Sequence, residues 1–269
     1  MKVLKYTLLF ILISNIDMHA QDIYRKFFLK NNVVAHRGAW KNKNIPQNSV
    51  ESLREAFRIG CSGSEFDVRL TSDSVPVLCH DEHFSGKKVE YHCFKELSEI
   101  KLPNGETIPT LYRILSEGMK QSNTRLFLEI KSMSTKEKTL KNVEKTVEMV
   151  NKLGALPWVF YICFDYDAVK KVRELSPSAP VAYLNGDISP EQLAADKVTG
   201  LDYNRTVYSK NENFAQNAKN LGLSLNVWTV NSSEDMDSFI NQEFDYITTD
   251  EPELLLGKNV SDLKNCYNE

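Results

Sequence analysis

Short runs of β-branched and aromatic residues alternate with stretches of helical periodicity along nearly the whole chain. This alternation indicates a parallel sheet flanked by helices, and no low-complexity linker divides it into separate domains. The strand candidates are the runs at residues 32–36, 64–70, 125–131, 158–164, 180–185, 199–203, 224–230 and 245–250. Because eight parallel strands can close a barrel, the pattern predicts an α/β fold of the TIM (β/α)8 type.

Helix signals between the strands support this alternation. Asn48 and Glu51 have the spacing of a capping box at the start of a helix, and Gly60 is placed to end it. Val50, Leu53 and Phe57 form the apolar stripe of this helix, and a second stripe, between positions 140 and 150, predicts a long helix that ends at Gly154. Helices of this kind provide the crossovers that parallel strands require.

A ninth apolar run, at 75–81, cannot be a further parallel strand. It follows the strand candidate at 64–70 after only the segment TSDS, which is too short for a helical crossover. We therefore expect a β-hairpin extension of strand two, which carries His80 to the mouth of the barrel. The polar stretch that follows, about 82–109, is too long for a simple strand–helix loop and predicts a short insertion.

The amino terminus has the pattern of a secretory signal peptide. Lys2 and Lys5 precede the apolar run YTLLFILI, and a polar stretch then leads to a cleavage site after Ala20. An uncleaved anchor is the alternative, but the apolar run is much shorter than the roughly 20 residues that cross a bilayer. We expect an exported protein, periplasmic or secreted, without a stable membrane anchor. Its mature domain, 21–269, has about the ~250 residues typical of a TIM barrel.

Composition and charge narrow the possible partners. The chain has 269 residues and a formal net charge of −3, so it lacks the basic excess that nucleic-acid binding requires. Its five cysteines have no zinc-binding spacing, and most lie in or beside apolar runs. Buried thiols are therefore favoured over a disulfide framework, although one bridge remains open in an exported protein. A small molecule is the expected partner, and the oligomeric state is left open.

Acidic residues recur at alternate positions of two strand candidates. Glu65 and Asp67 share one face of strand two, and Glu129 and Lys131 share one face of strand three. Carboxylates that meet inside a barrel mouth repel one another and lose solvation unless a positive group lies among them. All-oxygen ligation favours Mg²⁺ or Ca²⁺ over zinc. The alternative is that these acids form surface salt bridges with Lys131 and Arg69. Either pair of residues alone would favour salt bridges, but the two pairs together, within apolar strands, favour a bound cation.

Two histidines are placed at the same end of the predicted barrel. His36, Arg37 and Gly38 end strand one, where TIM-barrel active sites are built, and His80 ends the hairpin extension. Imidazoles exchange protons near neutral pH, the Arg37 guanidinium can hold a phosphate, and Gly38 would let a ligand approach the backbone. Two histidines beside a metal suit phosphodiester cleavage, in which one proton leaves the nucleophile and another reaches the departing alkoxide.

Six motifs, taken in order, resemble those of a known family. From about residue 32 to 255 the chain is similar to the glycerophosphodiester phosphodiesterases of the phosphatidylinositol-phospholipase-C-like TIM-barrel superfamily. The matching segments are HRG at 36–38, PQNS at 46–49, EFDVRLTSDSVPVLCHD at 65–81, LEIK at 128–131, VWTVN at 227–231 and ITTDEP at 247–252. The resemblance implies metal-dependent hydrolysis of glycerophosphodiesters to sn-glycerol 3-phosphate and an alcohol.

The resemblance also implies roles for individual residues. These roles are an acid–base pair, His36 and His80; metal ligands, Glu65, Asp67 and Glu129; and substrate-binding residues, Arg37, Lys131 and Trp228. The insertion resembles a short form of the family's extra segment over the barrel mouth. One departure is Gln47, where the family commonly has Glu, so the charge that a glutamate would supply to His36 or Arg37 is absent. We expect activity to survive this change.

Two other functions share parts of the pattern. A related enzyme would use the same residues on lysolipids or glycerophosphate polymers, which have bulkier leaving groups. A non-catalytic barrel would bind glycerophosphate compounds without turnover, but all seven polar site residues are present, which argues against it. The sequence leaves open whether water attacks phosphorus directly or the glycerol 2-hydroxyl attacks first to give a cyclic phosphate.

Overall fold

A computed structural model describes Phe28 and residues 31–266 of the chain. The predicted signal peptide, residues 1–20, lies outside the described residues. The strands are β1 (Val33–Ala35), β2 (Gly63–Leu70), β3 (Pro76–Leu78), β4 (His83–Phe84), β5 (Lys87–Lys88), β6 (Arg125–Ile130), β7 (Val159–Cys163), β8 (Val181–Tyr183), β9 (Gly200–Asn204), β10 (Ser224–Trp228) and β11 (Tyr246–Thr249). The helices are α1 (Val50–Ile59), α2 (Phe94–Ser98), α3 (Leu111–Gly118), α4 (Lys136–Leu153), α5 (Tyr166–Leu175), α6 (Pro190–Ala195), α7 (Arg205–Lys210), α8 (Phe214–Asn220), α9 (Ser233–Asn241) and α10 (Pro252–Cys266).

Parallel strands close into a barrel. Their order around the ring is β1, β11, β10, β9, β8, β7, β6 and β2, and β2 pairs with β1 to complete it. The helices pack on the outer face of the sheet, where one large apolar cluster joins them to the strands. The TIM-barrel prediction is confirmed, and every barrel strand begins and ends within two residues of its predicted span.

The hairpin extension of strand two is also present. β3 pairs antiparallel with the second half of β2, with Val68 opposite Leu78 and Leu70 opposite Pro76. β1 is short and pairs only with the beginning of β2, at Gly63 and Ser64. The edge of β2 that β1 leaves unpaired is therefore available to β3. This pairing brings the chain after Leu78 back to the mouth of the barrel.

Aromatic side chains fill the barrel interior below the mouth. The ring centroid of Phe127 lies 4.9 Å from that of Phe160 and 4.8 Å from that of Tyr246. Aliphatic residues, including Val34, surround these rings. Because side chains alternate along a strand, Glu129 faces the same interior as Phe127 but lies two residues nearer the carboxyl end. The rings thus form an apolar layer beneath the polar residues of the mouth.

Helix α1 begins one residue later than its predicted capping box implies. Its N-cap is Ser49, whose side chain accepts a hydrogen bond from the backbone N–H of Ser52, while Ser52 returns one to Ser49. The prediction of an Asn48–Glu51 box was wrong, because Asn48 has φ 53° and its side chain binds β2 instead. The predicted helix ends were right: Gly60 and Gly154 both cap helices in left-handed conformation.

The insertion at 82–109 contains the β4–β5 hairpin, a 3₁₀ turn at Val89–Tyr91 and helix α2. Its Glu90 accepts a hydrogen bond from the backbone N–H of Ser134 at 3.2 Å and lies 3.6 Å from the Lys138 ammonium. Glu90 therefore connects the insertion to the loop after β6 and to the first turn of α4. The backbone N–H of Leu78 donates to the carbonyl of Pro109, which returns the chain to the barrel.

Two further observations concern the described residues as a whole. Among the helices that the structure describes, none is both long and apolar enough to cross a bilayer. The thiols of Cys61, Cys79 and Cys163 are buried and unbridged, as their apolar sequence setting predicts.

Candidate active site

Three buried carboxylates meet at the carboxyl end of two neighbouring strands. Glu65 and Asp67 come from β2 and Glu129 from β6, with Asp67 and Glu129 in register across the parallel pair. One oxygen of each lies within 4.8 Å of the others. The alternate residues Phe66 and Val68 pack in the outer core, as strand alternation predicts. The sequence motifs therefore place these acids on one inward face.

The charges of this cluster are unequal. Burial, reinforced by Asp67 and Glu129, raises the pKa of Glu65 well above its usual range. Burial and the Asp67 charge raise the pKa of Glu129 to about 7. Burial also opposes ionisation of Asp67, but Lys131, His80 and the Asn48 hydrogen bond outweigh it, so the pKa of Asp67 is lowered. Asp67 is thus the one carboxyl of the three whose pKa is lowered, and it holds its negative charge most readily.

The donor set fits a hard divalent cation. Oε1 of Glu65 is buried and has no hydrogen-bond partner among the described residues. An acidic oxygen in that position is costly unless a positive group meets it. Glu65, Asp67 and Glu129 offer only oxygen ligands, which suit Mg²⁺ or Ca²⁺ rather than a softer metal. The three residues could therefore hold such an ion.

Two cations lie beside the carboxylates. Nζ of Lys131 is 3.2 Å from Oδ1 of Asp67 and 2.7 Å from Oε1 of Glu129. Nε of Arg37 is 3.7 Å from Oδ2 of Asp67, and its Nη1 donates to Oε1 of Gln47 at 2.8 Å. Gln47 thus orients the guanidinium without neutralising it. Gln47, which stands in place of the family's usual glutamate, therefore acts here as a neutral hydrogen-bond acceptor for Arg37.

The turn after β1 brings backbone groups to the site. Arg37 has φ 56° and donates its backbone N–H to Oε2 of Glu65 at 2.8 Å. Gly38 has φ 84°, and a Cβ there would lie 2.3 Å from Oγ of Ser52. The sequence explanation for Gly38, close approach of a ligand, was therefore incomplete. The observed reason is a left-handed backbone pressed against the start of α1.

Both predicted histidines are held by a carboxylate through Nδ1. Nδ1 of His36 lies 2.7 Å from Oδ1 of Asp250, and Nδ1 of His80 lies 2.8 Å from Oδ1 of Asp81. Oδ2 of Asp250 accepts a second hydrogen bond from Asn231 at 2.8 Å. Because Nδ1 is engaged in each ring, Nε2 is the atom left to exchange protons with a substrate. Burial lowers the pKa of His80 despite the nearby Asp67 and Asp81.

Sequence reasoning gave no role to two residues that organise the site. Asp250, which orients His36, is the fourth residue of the motif ITTDEP and directly follows β11, and its position after the last strand was the only signal. Asn48 binds Asp67 twice: its Nδ2 donates to Oδ2 at 2.8 Å, and its Oδ1 accepts the backbone N–H at 3.0 Å. No pattern in the sequence indicates this double contact, because it depends on the left-handed backbone of Asn48.

A pocket of about 130 Å³ opens between these groups. The predicted site residues that line it are His36, Arg37, Glu65, His80, Glu129, Lys131 and Trp228. Asp67 lies against Lys131 and Arg37 without lining the pocket. Trp228 donates its indole N–H to the backbone carbonyl of Asp202 at 2.8 Å, and its ring meets Phe164 edge-on at 5.3 Å. One mouth thus gathers all the residues that the sequence marked for chemistry.

Comparison with known proteins identifies the family. The model of the glycerophosphoryl diester phosphodiesterase family matches residues 36–254. The chain belongs to this family. A glycerophosphodiester phosphodiesterase from Parabacteroides distasonis is 40% identical, with a TM-score of 0.84 over 86% of this chain and 98% of that one. The sequence resemblance to this family is therefore confirmed. The expected enzyme class, a phosphoric diester hydrolase, is confirmed as well.

Other relatives cover the same region. The glycerophosphodiester phosphodiesterase of Caldanaerobacter subterraneus is 28% identical over 243 residues, which are 85% of this chain and 98% of that protein. A phosphodiesterase from Oleispira antarctica, whose structure is a complex with the product sn-glycerol-3-phosphate, superposes with a TM-score of 0.71 over 84% of this chain and 96% of its own. The two chains are 22% identical, so this similarity shows that they share the fold.

Proposed function

We propose that this protein hydrolyses glycerophosphodiesters to sn-glycerol 3-phosphate and an alcohol, with His36 and His80 as the acid–base pair. The observation that carries the proposal is one pocket lined by two carboxylate-held imidazoles, two cations and buried carboxylates. That combination supplies what a phosphodiester needs: charge neutralisation, a base for the nucleophile and an acid for the leaving alkoxide. The product named for the Oleispira antarctica structure is the one expected here.

Glu65, Asp67 and Glu129 would hold a divalent cation, Mg²⁺ or Ca²⁺. When bound, the cation would neutralise phosphate charge and the charge that develops on the reacting oxygens. Arg37 and Lys131 lie beside the same carboxylates and would bind the non-bridging phosphate oxygens. Because Gln47 is a neutral partner, it adds no countercharge to that of Asp67, and the Arg37 guanidinium keeps charge that can attract the substrate.

The two histidines would divide the proton transfers. Nε2 of one ring removes the proton of the attacking hydroxyl, and Nε2 of the other donates a proton to the departing alkoxide. Attack by the glycerol 2-hydroxyl gives a cyclic phosphate, which water opens with the two roles exchanged. Direct attack by water uses the same two groups once. Asp250 and Asp81 would each hold a proton on the Nδ1 of the neighbouring histidine. Nε2 of a neutral ring can then accept a proton, and Nε2 of a protonated ring can donate one.

The test is a substrate panel with and without metal. Protein from Gln21 onward would be incubated with glycerophosphocholine, glycerophosphoinositol, a lysolipid and a glycerophosphate polymer, in Mg²⁺, Ca²⁺ or excess chelator. We expect the protein to release glycerol 3-phosphate from the small diesters when Mg²⁺ or Ca²⁺ is present, and to release none in excess chelator. Preferred cleavage of the lysolipid or polymer would favour the related enzyme class. Tight binding without product in either cation would favour a non-catalytic barrel.

Variants test the histidines separately. His36→Ala and His80→Ala should each lower kcat by about a hundredfold or more. His92→Ala is the matched control, because His92 lies in the insertion and its Nδ1 contacts the backbone carbonyl of Lys88. Near wild-type turnover in either catalytic variant would refute the assigned pair.

We also propose that residues 1–20 direct export and that the mature chain begins at Gln21. The support is the charged, apolar and polar order of the first residues. Cell fractionation and amino-terminal sequencing of the exported protein test it. An intact amino terminus in the cytoplasmic fraction would contradict the proposal.

A further inference from the structure

Asp202 is a buried acid for which the proposed chemistry has no use. It lies on β9, is 1% exposed, and its Oδ1 has no hydrogen-bond partner within the described part of the chain. Burial of a polar atom without a partner costs on the order of 1–3 kcal/mol. An apolar side chain of similar size would avoid this cost. The observation therefore points to a ligand that supplies the missing hydrogen bond.

Asp202 lines the same pocket as the proposed catalytic groups, but on the opposite wall. Strands β1, β2 and β6 and the segment after β3 supply the histidines, cations and carboxylates. On the other side the pocket lining from β7, β8 and β10 is mostly apolar, with Ile162, Phe164, Leu184 and Trp228. Among the lining residues described there, Asp202 is the one ionisable group. A ligand that spans the pocket would carry its anionic part on one side and an apolar surface with a polar end on the other.

The neighbouring strand presents a second unpartnered atom. Asn226 is paired in register with Asp202, so the two side chains share the interior face. Oδ1 of Asn226 accepts from Ser224 at 2.8 Å, while its buried Nδ2 has no acceptor among the residues described. Of the two side chains Asp202 is the one that lines the pocket, and a ligand hydroxyl, which both donates and accepts, can supply the hydrogen bond that its Oδ1 lacks.

Trp228 lines the pocket together with Asp202. Its indole N–H donates to the backbone carbonyl of Asp202 at 2.8 Å, which holds the ring beside β9 at this residue. A short polyol whose carbon atoms pack on this ring would have its terminal hydroxyl near the Asp202 carboxyl. Glycerol esterified at one end has this shape and length.

We propose that Asp202 is a specificity-determining residue whose carboxyl binds the terminal hydroxyl of the glycerol moiety. This inference rests on the proposed function, since it takes the substrate to be a glycerophosphodiester. The enzyme then distinguishes glycerol from a shorter diol by a hydrogen bond on the wall opposite the phosphate. Discrimination of this kind can be large, because an analogue that lacks the hydroxyl leaves a buried polar group unpaired.

The experiment compares two substrates that differ in the terminal hydroxymethyl group. Glycerophosphocholine has the terminal hydroxymethyl group, and 2-hydroxyethyl phosphocholine lacks it while keeping the 2-hydroxyl. We expect wild-type kcat/KM to favour glycerophosphocholine by at least about tenfold. Asp202→Leu should abolish that preference through a higher KM for glycerophosphocholine, with kcat/KM for the shorter substrate within about threefold. Asp202→Asn, which keeps a hydrogen-bonding side chain, should retain part of the preference.

Tyr161→Phe is the matched control. The hydroxyl of Tyr161 is also buried without a partner among the described residues, but it lies in the outer core and not in the pocket. Its removal should leave the substrate preference unchanged. Equal losses on both substrates in Asp202→Leu, or an unchanged preference, would overturn the inference.

Failure of the proposed function is distinguishable from failure of this inference. The proposed function is refuted if the wild-type protein releases no glycerol 3-phosphate from any diester. In that case, calorimetric binding of glycerol 3-phosphate and of 2-hydroxyethyl phosphate to wild type and Asp202→Leu still tests this inference. Loss of preference for glycerol 3-phosphate in the variant supports the assignment, and equal affinities in wild type refute it.

Discussion

Nδ1 of His36 lies 2.7 Å from Oδ1 of Asp250, although 214 residues separate them along the chain. The contact exists because β1 pairs with β11, with Ala35 beside Thr249. The next residue of each strand is therefore at the same height in the barrel mouth. Closure of the barrel, and no local feature of the chain, orients this imidazole.

Replacement of Asp250 tests that orientation. Asp250→Asn should lower kcat by about tenfold or more with little change in KM, because the amide cannot hold the Nδ1 proton as the carboxylate does. Asp81→Asn is the matched comparison for His80. Since the Asp81 side chain is 79% exposed and that of Asp250 is 22% exposed, solvent can replace the Asp81 contact, and we expect a smaller loss. Steady-state kinetics on glycerophosphocholine measure both. A larger loss in Asp81→Asn would contradict this ranking.

The inward carboxylates and the barrel could be predicted because their signals are local. Glu65 and Asp67 alternate with Phe66 and Val68, and a period of two within an apolar strand fixes which side chains share a face. The short segment before the ninth run likewise leaves only a hairpin. These inferences need no knowledge of distant parts of the chain.

The remainder depends on tertiary contacts. Asp250 contributes only after the barrel closes, and Asn48 binds Asp67 only because its backbone is left-handed. The same conformation moved the capping box to Ser49. The sequence does not distinguish Asp202 from other polar residues in strands, because its lack of a hydrogen-bond partner arises only in the packed interior.

Cation binding should stabilise the folded protein. Wild-type melting temperature should rise in excess Mg²⁺ or Ca²⁺ relative to chelator, by an amount equivalent to about 2.7 kcal/mol at a hundredfold excess over Kd. Glu65→Gln and Glu129→Gln each remove a proposed ligand and should lose most of this rise. Glu90→Gln, a substitution in the insertion, should keep it. A rise that survives in both ligand variants would refute the assigned cation site.

Gln47 should tune phosphate affinity through Arg37. In Gln47→Glu, a carboxylate would replace the neutral acceptor 2.8 Å from Nη1 of Arg37 and compete with the phosphate for that charge. We expect KM for glycerophosphocholine to rise severalfold, with kcat within about threefold. Gln47→Ala, which frees the guanidinium, should lower kcat/KM more. An unchanged KM in both variants would show that Gln47 does not position Arg37.

Asp202 should make folding stability depend on pH. Burial, with the Glu129 charge, raises the pKa of Asp202 from its ordinary value of 3.8 to about 8. The folded state therefore holds this proton more tightly than the unfolded state, so the contribution to stability is present below the ordinary pKa and is lost as pH rises through the raised one.

Asp202→Asn cannot ionise. The free energy of unfolding of wild type minus that of Asp202→Asn should fall by a few kcal/mol, at most about 1.4 kcal/mol per unit of pKa difference, between acidic and mildly alkaline pH. Urea unfolding in chelator at a series of pH values measures it, and a difference that is flat or rises with pH would contradict the raised pKa.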